Sequence, residues 1–156
     1  MALLLCFTVL STLAFAYARC PDGFEHNGKS CYAFVATKMN WFDADQFCTS
    51  LVPNTYFTHL VAIESPREQQ WLENYINSHT ELRNRDYWTS GTMIDRKRGW
   101  WWALTGDTFG YDNWAPGQPD DSGKCACLWA RKLYRWDDVS CYDGYKYPIC
   151  EFELIM

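Results

Sequence analysis

Gln118, Asp120 and Asp121 lie close together in the run Asn113-Trp114-Ala115-Pro116-Gly117-Gln118-Pro119-Asp120-Asp121, and a second pair of acids, Asp137 and Asp138, follows Trp136. Amide and carboxylate oxygens on two neighbouring segments are what a hard cation requires, since calcium takes six to eight oxygens at roughly 2.3–2.6 Å. Gln118, Asp120, Asp137 and Asp138 are therefore read as ligands for calcium. Adjacent strand residues point to opposite faces, so Asp137 and Asp138 serve one ion only if their strand ends there. Asp120 paired with Asp137 or Asp138 would also suit a glycosidase. A loop this polar offers no apolar pocket to raise one of their pKa values, and the chain is read as a binding protein with no catalytic residue.

The cysteines divide with the chain. Residues 1–18 carry no charge, residues 3–15 form an almost unbroken apolar run, and Ala16, Tyr17 and Ala18 supply a small-residue end. These are the marks of a signal peptide cut after Ala18, leaving a domain of residues 19–156 and an extracellular, secreted location. The run is too short to span a bilayer and no later stretch approaches it, so no membrane insertion is expected. Cys6 leaves with this segment. The seven remaining cysteines read as a disulfide framework with one thiol over. Zinc is a poor alternative, because no cysteine pair has a two-residue gap and His26, His59 and His79 are scattered. With 19 acids against 14 bases, the net charge of -5 argues against nucleic acid as the partner. The basic cluster Arg96, Lys97, Arg98 reads as a solvated turn.

Two helices precede most of the strands. Asn40 is a good N-cap, after which Trp41, Ala44, Phe47, Cys48 and Leu51 recur at helical spacing. Ser65, Pro66, Arg67 and Glu68 form a capping box, continued by Trp71, Leu72, Tyr75 and Ile76 on one stripe. Aromatic and β-branched runs predict strands at 30–35, 59–63, 87–89, 100–103, 127–130, 134–138 and 147–152. The result is an α+β domain. Residues 104–126 form a Gly-, Pro-, Asp- and Asn-rich loop, with Trp114 among its few large anchors; a loop this long in a small domain is where a site is expected.

Trp114 with Gln118-Pro119-Asp120, then Trp136-Asp137-Asp138 three residues before Cys141, resembles the C-type lectin domain. Supporting features are Cys20 and Cys31, similar to the extra N-terminal bridge of the long form; Cys48 on the first helix; Tyr87-Trp88-Thr89-Ser90-Gly91 at the family's core motif; and Tyr147-Pro148-Ile149-Cys150-Glu151 at the end. The layout resembles secreted invertebrate lectins of the perlucin-like kind. The resemblance implies a disulfide-stapled fold with a long irregular binding loop, one calcium on Gln118, Asp120, Asp137 and Asp138, and two vicinal sugar hydroxyls bound through the same four residues. It implies a cis Pro119, bridges Cys48–Cys150 and Cys127–Cys141, and a free Cys125 able to link two chains as a homodimer. Cys125 and Cys127 lie two apart on one strand face, so their roles are exchangeable.

Two departures qualify these expectations. Cys125 stands where the family usually places a calcium-binding Glu, and a thiol is a poor ligand for calcium. Asp137 replaces the more frequent Asn. Gln-Pro-Asp has the galactose-type order of amide and acid, although Asp121, Ser122, Gly123 and Lys124 supply no aromatic for the sugar to stack on. Trp136 reads as a packed strand residue. Asp121 and Asp95 are candidates for an auxiliary calcium, with Arg98 where an acid would be wanted. The resemblance points to a calcium-dependent, galactose-type lectin in innate recognition or a biomineral matrix; the alternative is a calcium-independent lectin-like domain that binds protein or mineral surface.

Overall fold

Asn40 starts helix α1 (Trp41–Ser50) by accepting the Asp43 backbone N–H on its Oδ1 at 2.9 Å, which satisfies one of the donors a helix start leaves unpaired. Trp41, Ala44 and Cys48 are buried. Phe47, expected on the same stripe, is 36% exposed, because it falls on the rim where the helix meets solvent. Helix α2 (Pro66–Ser78) begins at Ser65, whose Oγ accepts the Glu68 N–H at 3.2 Å. Glu68 reaches back to the N–H of Glu64 rather than that of Ser65, and its other oxygen accepts from the Tyr32 hydroxyl at 2.7 Å. Leu72 and Ile76 are buried, with Trp71 and Tyr75 packed outside them.

The computed structural model describes residues 19–52 and 58–154; the expected signal peptide, with Cys6, lies outside them. Its strands are β1 (Glu25–Asn27), β2 (Ser30–Phe34), β3 (Thr58–Leu60), β4 (Tyr87–Thr92), β5 (Trp101–Trp102), β6 (Cys125–Trp129), β7 (Arg135–Val139) and β8 (Tyr147–Glu153). They form one sheet in the order β1-β2-β8-β4-β6-β7, with β3 on β8 and β5 on β4. Only β4 and β8 pair in parallel; the other described pairs are antiparallel. This is the expected α+β architecture. β1 was not expected, since Glu25-His26-Asn27 has no apolar alternation, and it forms by folding back on β2. Residues 61–63 were expected to continue β3; they run on as buried chain, with Val61 N–H donating to the Ile149 carbonyl at 2.9 Å.

The ladder between β6 and β7 pairs Ala126 with Asp138 and Cys127 with Asp137. Strand alternation sends Ala126, Leu128, Trp136 and Asp138 to one face and Cys125, Cys127, Asp137 and Val139 to the other. Leu128 and Trp136 join a core cluster with α2, whereas Cys125 and Cys127 join another with Trp41, Cys48 and Trp88.

The disulfides are Cys20–Cys31, Cys48–Cys150 and Cys125–Cys141. The last corrects the expected Cys127–Cys141 bridge and the expected free Cys125. Register is the reason: Cys125 opposes Val139, two residues from Cys141, while Cys127 opposes Asp137, four residues away. Four strand residues span roughly 13 Å, too far for a bridge whose Cα atoms here sit 5.3 Å apart. Cys127 keeps a buried thiol, and burial pushes its pKa up. The route to a homodimer through Cys125 is thereby removed.

Candidate functional site

An aromatic raft carries the long loop. Trp136 is 1% exposed and donates its indole N–H to Gln69 Oε1 at 2.8 Å, as a core tryptophan must to avoid burying an unpaired donor. Trp102, Phe109, Tyr111 and Trp114 meet it edge to face, with ring centroids 5.3–5.7 Å away. Backbone bonds strap the loop to the same residue: Trp136 N–H donates to the Asn113 carbonyl at 2.9 Å, and Ala115 N–H to the Trp136 carbonyl at 2.8 Å. Gln118, Pro119 and Asp120 are thus delivered to the part of β7 that follows Trp136.

Asp138 receives them. It is fully buried; its Oδ1 accepts the Asp120 N–H at 2.8 Å and its Oδ2 the Gly123 N–H at 3.1 Å. Ser122 Oγ donates to the Asp138 backbone carbonyl. A Cβ on Gly123 would lie 1.8 Å from the Val139 carbonyl carbon, so only glycine brings the loop this near β7. The Gln118–Pro119 bond is cis. Gln118 Oε1 accepts from Asp120 N–H at 3.1 Å, and its Nε2 lies 3.5 Å from Asp120 Oδ2. Asp120 Oδ1 accepts the Ser122 N–H at 3.0 Å. Bonds from Ser122 hold this exposed carboxyl below the usual range, the opposite of what a general acid needs.

Hydrogen bonds therefore bring Gln118, Asp120 and Asp138 together, and Asp137 shares none of them. Asp137 lies on the face of Cys127; burial and then Asp138 raise its pKa, while Lys146 opposes them. The divergence expected of adjacent strand residues prevails because β7 continues through Val139. Of the auxiliary candidates, Asp95 accepts from the Lys97 N–H and caps the 3₁₀ turn Arg96–Arg98, and Asp121 is exposed at φ 64°. Arg98 donates to the Gly106 carbonyl and lies 4.4 Å over Trp101.

The donor set suits a hard cation of modest affinity. Each carboxylate oxygen of Asp120 and Asp138 accepts one hydrogen bond and has a second lone pair to offer. Among the described residues neither acid has a Lys, Arg or His partner within 4.0 Å. No three His, Cys, Asp or Glu side chains among those residues converge as a metal cage, so the set consists of two carboxylates and one amide. Cys125, at the expected position of a further acid, is engaged in its disulfide. Ser122 and Gly123, which hold Asp138 against the loop, were not singled out as site residues from sequence; a small Ser-Gly pair one residue short of β6 was their only signal.

The family model described as the Lectin C-type domain matches residues 37–152. Ladderlectin of Oncorhynchus mykiss is 32% identical over 130 residues, 81% of this chain and 65% of that relative. Perlucin of Haliotis laevigata is 32% identical over 140 residues, 87% of this chain and 84% of perlucin. Among solved structures, the mouse scavenger receptor C-type lectin carbohydrate-recognition domain superposes with a TM-score of 0.72 at 31% identity, covering 88% of this chain and 98% of that one. A calcium-independent type II antifreeze protein superposes with a TM-score of 0.73 at 27% identity, covering 88% and 96%. The family match over most of the chain, the relatives at this identity and the shared fold together place the protein in the C-type lectin family.

Proposed function

We propose that this protein is an exported lectin that binds glycans through its long loop, with calcium held by Gln118, Asp120 and Asp138. The observation that carries the reading is the buried Asp138 carboxylate, which draws the loop backbone onto β7 and leaves Gln118 and Asp120 side by side at its exposed tip. When bound, calcium offers open coordination positions to sugar hydroxyl oxygens. Around it the chain supplies a donor in the Gln118 amide and an acceptor in the Asp120 carboxylate, the polarity a pair of vicinal hydroxyls requires. The order of amide and acid favours galactose-type glycans. Asp137, on the other face of β7, is left out of the ligand set.

Export is supported by the apolar segment at residues 1–18 and by three disulfides. No helix among the described residues is long and apolar enough to cross a membrane. A second reading rests on the same carboxylate: with both Asp138 oxygens accepting loop N–H groups, the loop has an internal clamp that needs no cation. In that case ligand binding survives calcium removal.

The test is retention of the mature protein on immobilised galactose and mannose. Retention on galactose with calcium and release by excess chelator is the expected result. Retention that chelator leaves untouched establishes the second reading. No retention on either column, with calcium leaving the melting temperature unchanged, overturns the calcium-lectin reading.

A further inference from the structure

At the end of the sheet away from the loop, where β6 finishes at Trp129, a hollow of about 600 Å³ is lined by Lys38, Arg85, Arg131, Trp129, Tyr145 and Tyr147. These residues come from four separate stretches of chain. The Lys38 ammonium lies 5.2 Å and the Arg85 guanidinium 4.6 Å from the centroid of the same Tyr147 ring, and the Lys132 ammonium lies 5.4 Å from that of Trp129. Among the described residues none of the four cations has a carboxylate within 4.0 Å. Asp86, the acid in the hollow, is engaged elsewhere: its Oδ1 accepts the Ala130 N–H at 2.9 Å and its Oδ2 faces the Lys146 ammonium at 3.8 Å.

Two like charges over one ring are an unfavourable arrangement in an otherwise acidic protein. A cation–π contact at an exposed ring contributes only about 0.5–1 kcal/mol and does not neutralise charge. An anion in the hollow would do so, and guanidinium groups match the oxygens of sulfate and carboxylate with paired, charge-assisted hydrogen bonds. Tyr145 is 63% exposed and Trp129 and Tyr147 are half-buried, so flat aromatic faces stand beside the cations. The net charge of -5 repels an extended polyanion or an anionic membrane, whereas a short ligand whose charge sits within the hollow escapes most of that repulsion.

We propose that this hollow is a second binding site, independent of calcium and of the loop, for a sulfated saccharide. Arg85, Arg131 and Lys38 hold the sulfate, and Tyr145 stacks against a sugar ring. Its size is that of a small-molecule site and admits a disaccharide.

The experiment is calorimetric titration of the mature protein in excess chelator, which silences calcium at the loop. The probes are chondroitin 4-sulfate disaccharide, unsulfated chondroitin disaccharide and inorganic sulfate. The sulfated disaccharide is expected to bind at least tenfold more tightly than either control. The exposed double variant Lys38→Gln/Arg131→Gln is expected to weaken it at least tenfold with an unchanged melting temperature, and Tyr145→Ala to weaken the disaccharide but not sulfate. Asp120→Asn, which damages the loop site, leaves this binding intact. Equal affinity for the unsulfated sugar or for sulfate, indifference to the double variant, loss of binding in Asp120→Asn, or tighter binding to phosphatidylserine vesicles each overturns the proposal.

Discussion

The β6–β7 ladder carries a cysteine pair and an aspartate pair, and it treats the two members of each pair differently. On the face under the loop, Asp138 is buried and accepts two backbone N–H groups from the loop. On the opposite face, Asp137 lies near Lys146 and Asp86 and takes no part in those hydrogen bonds. The cysteines share that second face, and one of them, Cys125, is close enough to Cys141 to be oxidised. Position along the ladder separates the cysteines, and alternation across it separates the acids.

The largest contrast lies between the cysteines. Cys125→Ser opens a bridge spanning 16 residues and is expected to cost about 3 kcal/mol in denaturant unfolding. Cys127→Ala removes only a buried thiol and is expected to cost about 1 kcal/mol or less. The folded protein should also resist alkylation and run as a monomer without reductant. Equal losses, or alkylation of Cys125 in place of Cys127, would show the bridge assigned to the wrong partner, and rapid alkylation of Cys127 would contradict its burial.

The aspartates come next. Asp138→Asn turns an amide N–H₂ toward one of two buried backbone donors, and a lost buried hydrogen bond costs about 1–3 kcal/mol. The substitution should abolish retention on galactose. Asp137→Asn should change stability by less than about 0.5 kcal/mol and leave retention unchanged. A loss of retention in Asp137→Asn would restore that residue to the site.

The smallest effect uses pH to set the loop apart from the junction of α2 with β8. At that junction burial, and then Glu151, raises Glu68 to about 7. Burial alone would lower His59, but Glu153, Glu151 and the Leu60 carbonyl together raise its pKa. Both groups therefore contribute stability that is present at low pH and lost as pH rises, Glu68 between about 4.5 and 7 and His59 above its ordinary value. Asp120 has the opposite sign: its depressed pKa withdraws support only at a pH below the ordinary carboxylate range. Melting temperature should fall between pH 5 and 8, corresponding to about 1–2 kcal/mol, and Glu68→Gln should flatten the fall. Galactose retention should hold from pH 7 to 5. A flat wild-type profile would sink the assignment at the junction.

Much of the helical framework was legible because its signals are local. Asn40 and Ser65-Pro66 mark helix starts within one turn of chain, and Trp136, read as a packed strand residue, is buried. Phe47 was misread because three- and four-residue spacing does not separate the centre of a helical stripe from its rim. β1 was missed because Glu25-His26-Asn27 becomes a strand only through its partner β2.

The amino-acid sequence by itself determined the family, the α+β class, the helix starts, and Gln118, Asp120, Asp137 and Asp138 as candidates of one motif, all of which depend on residue type and short-range spacing. Tertiary structure decided which cysteine met Cys141, which of two adjacent aspartates faced the loop, and that Lys38, Arg85, Arg131 and Tyr147 surround one hollow. Those outcomes depend on strand register and on packing between residues far apart in the chain, and no local pattern carries that information.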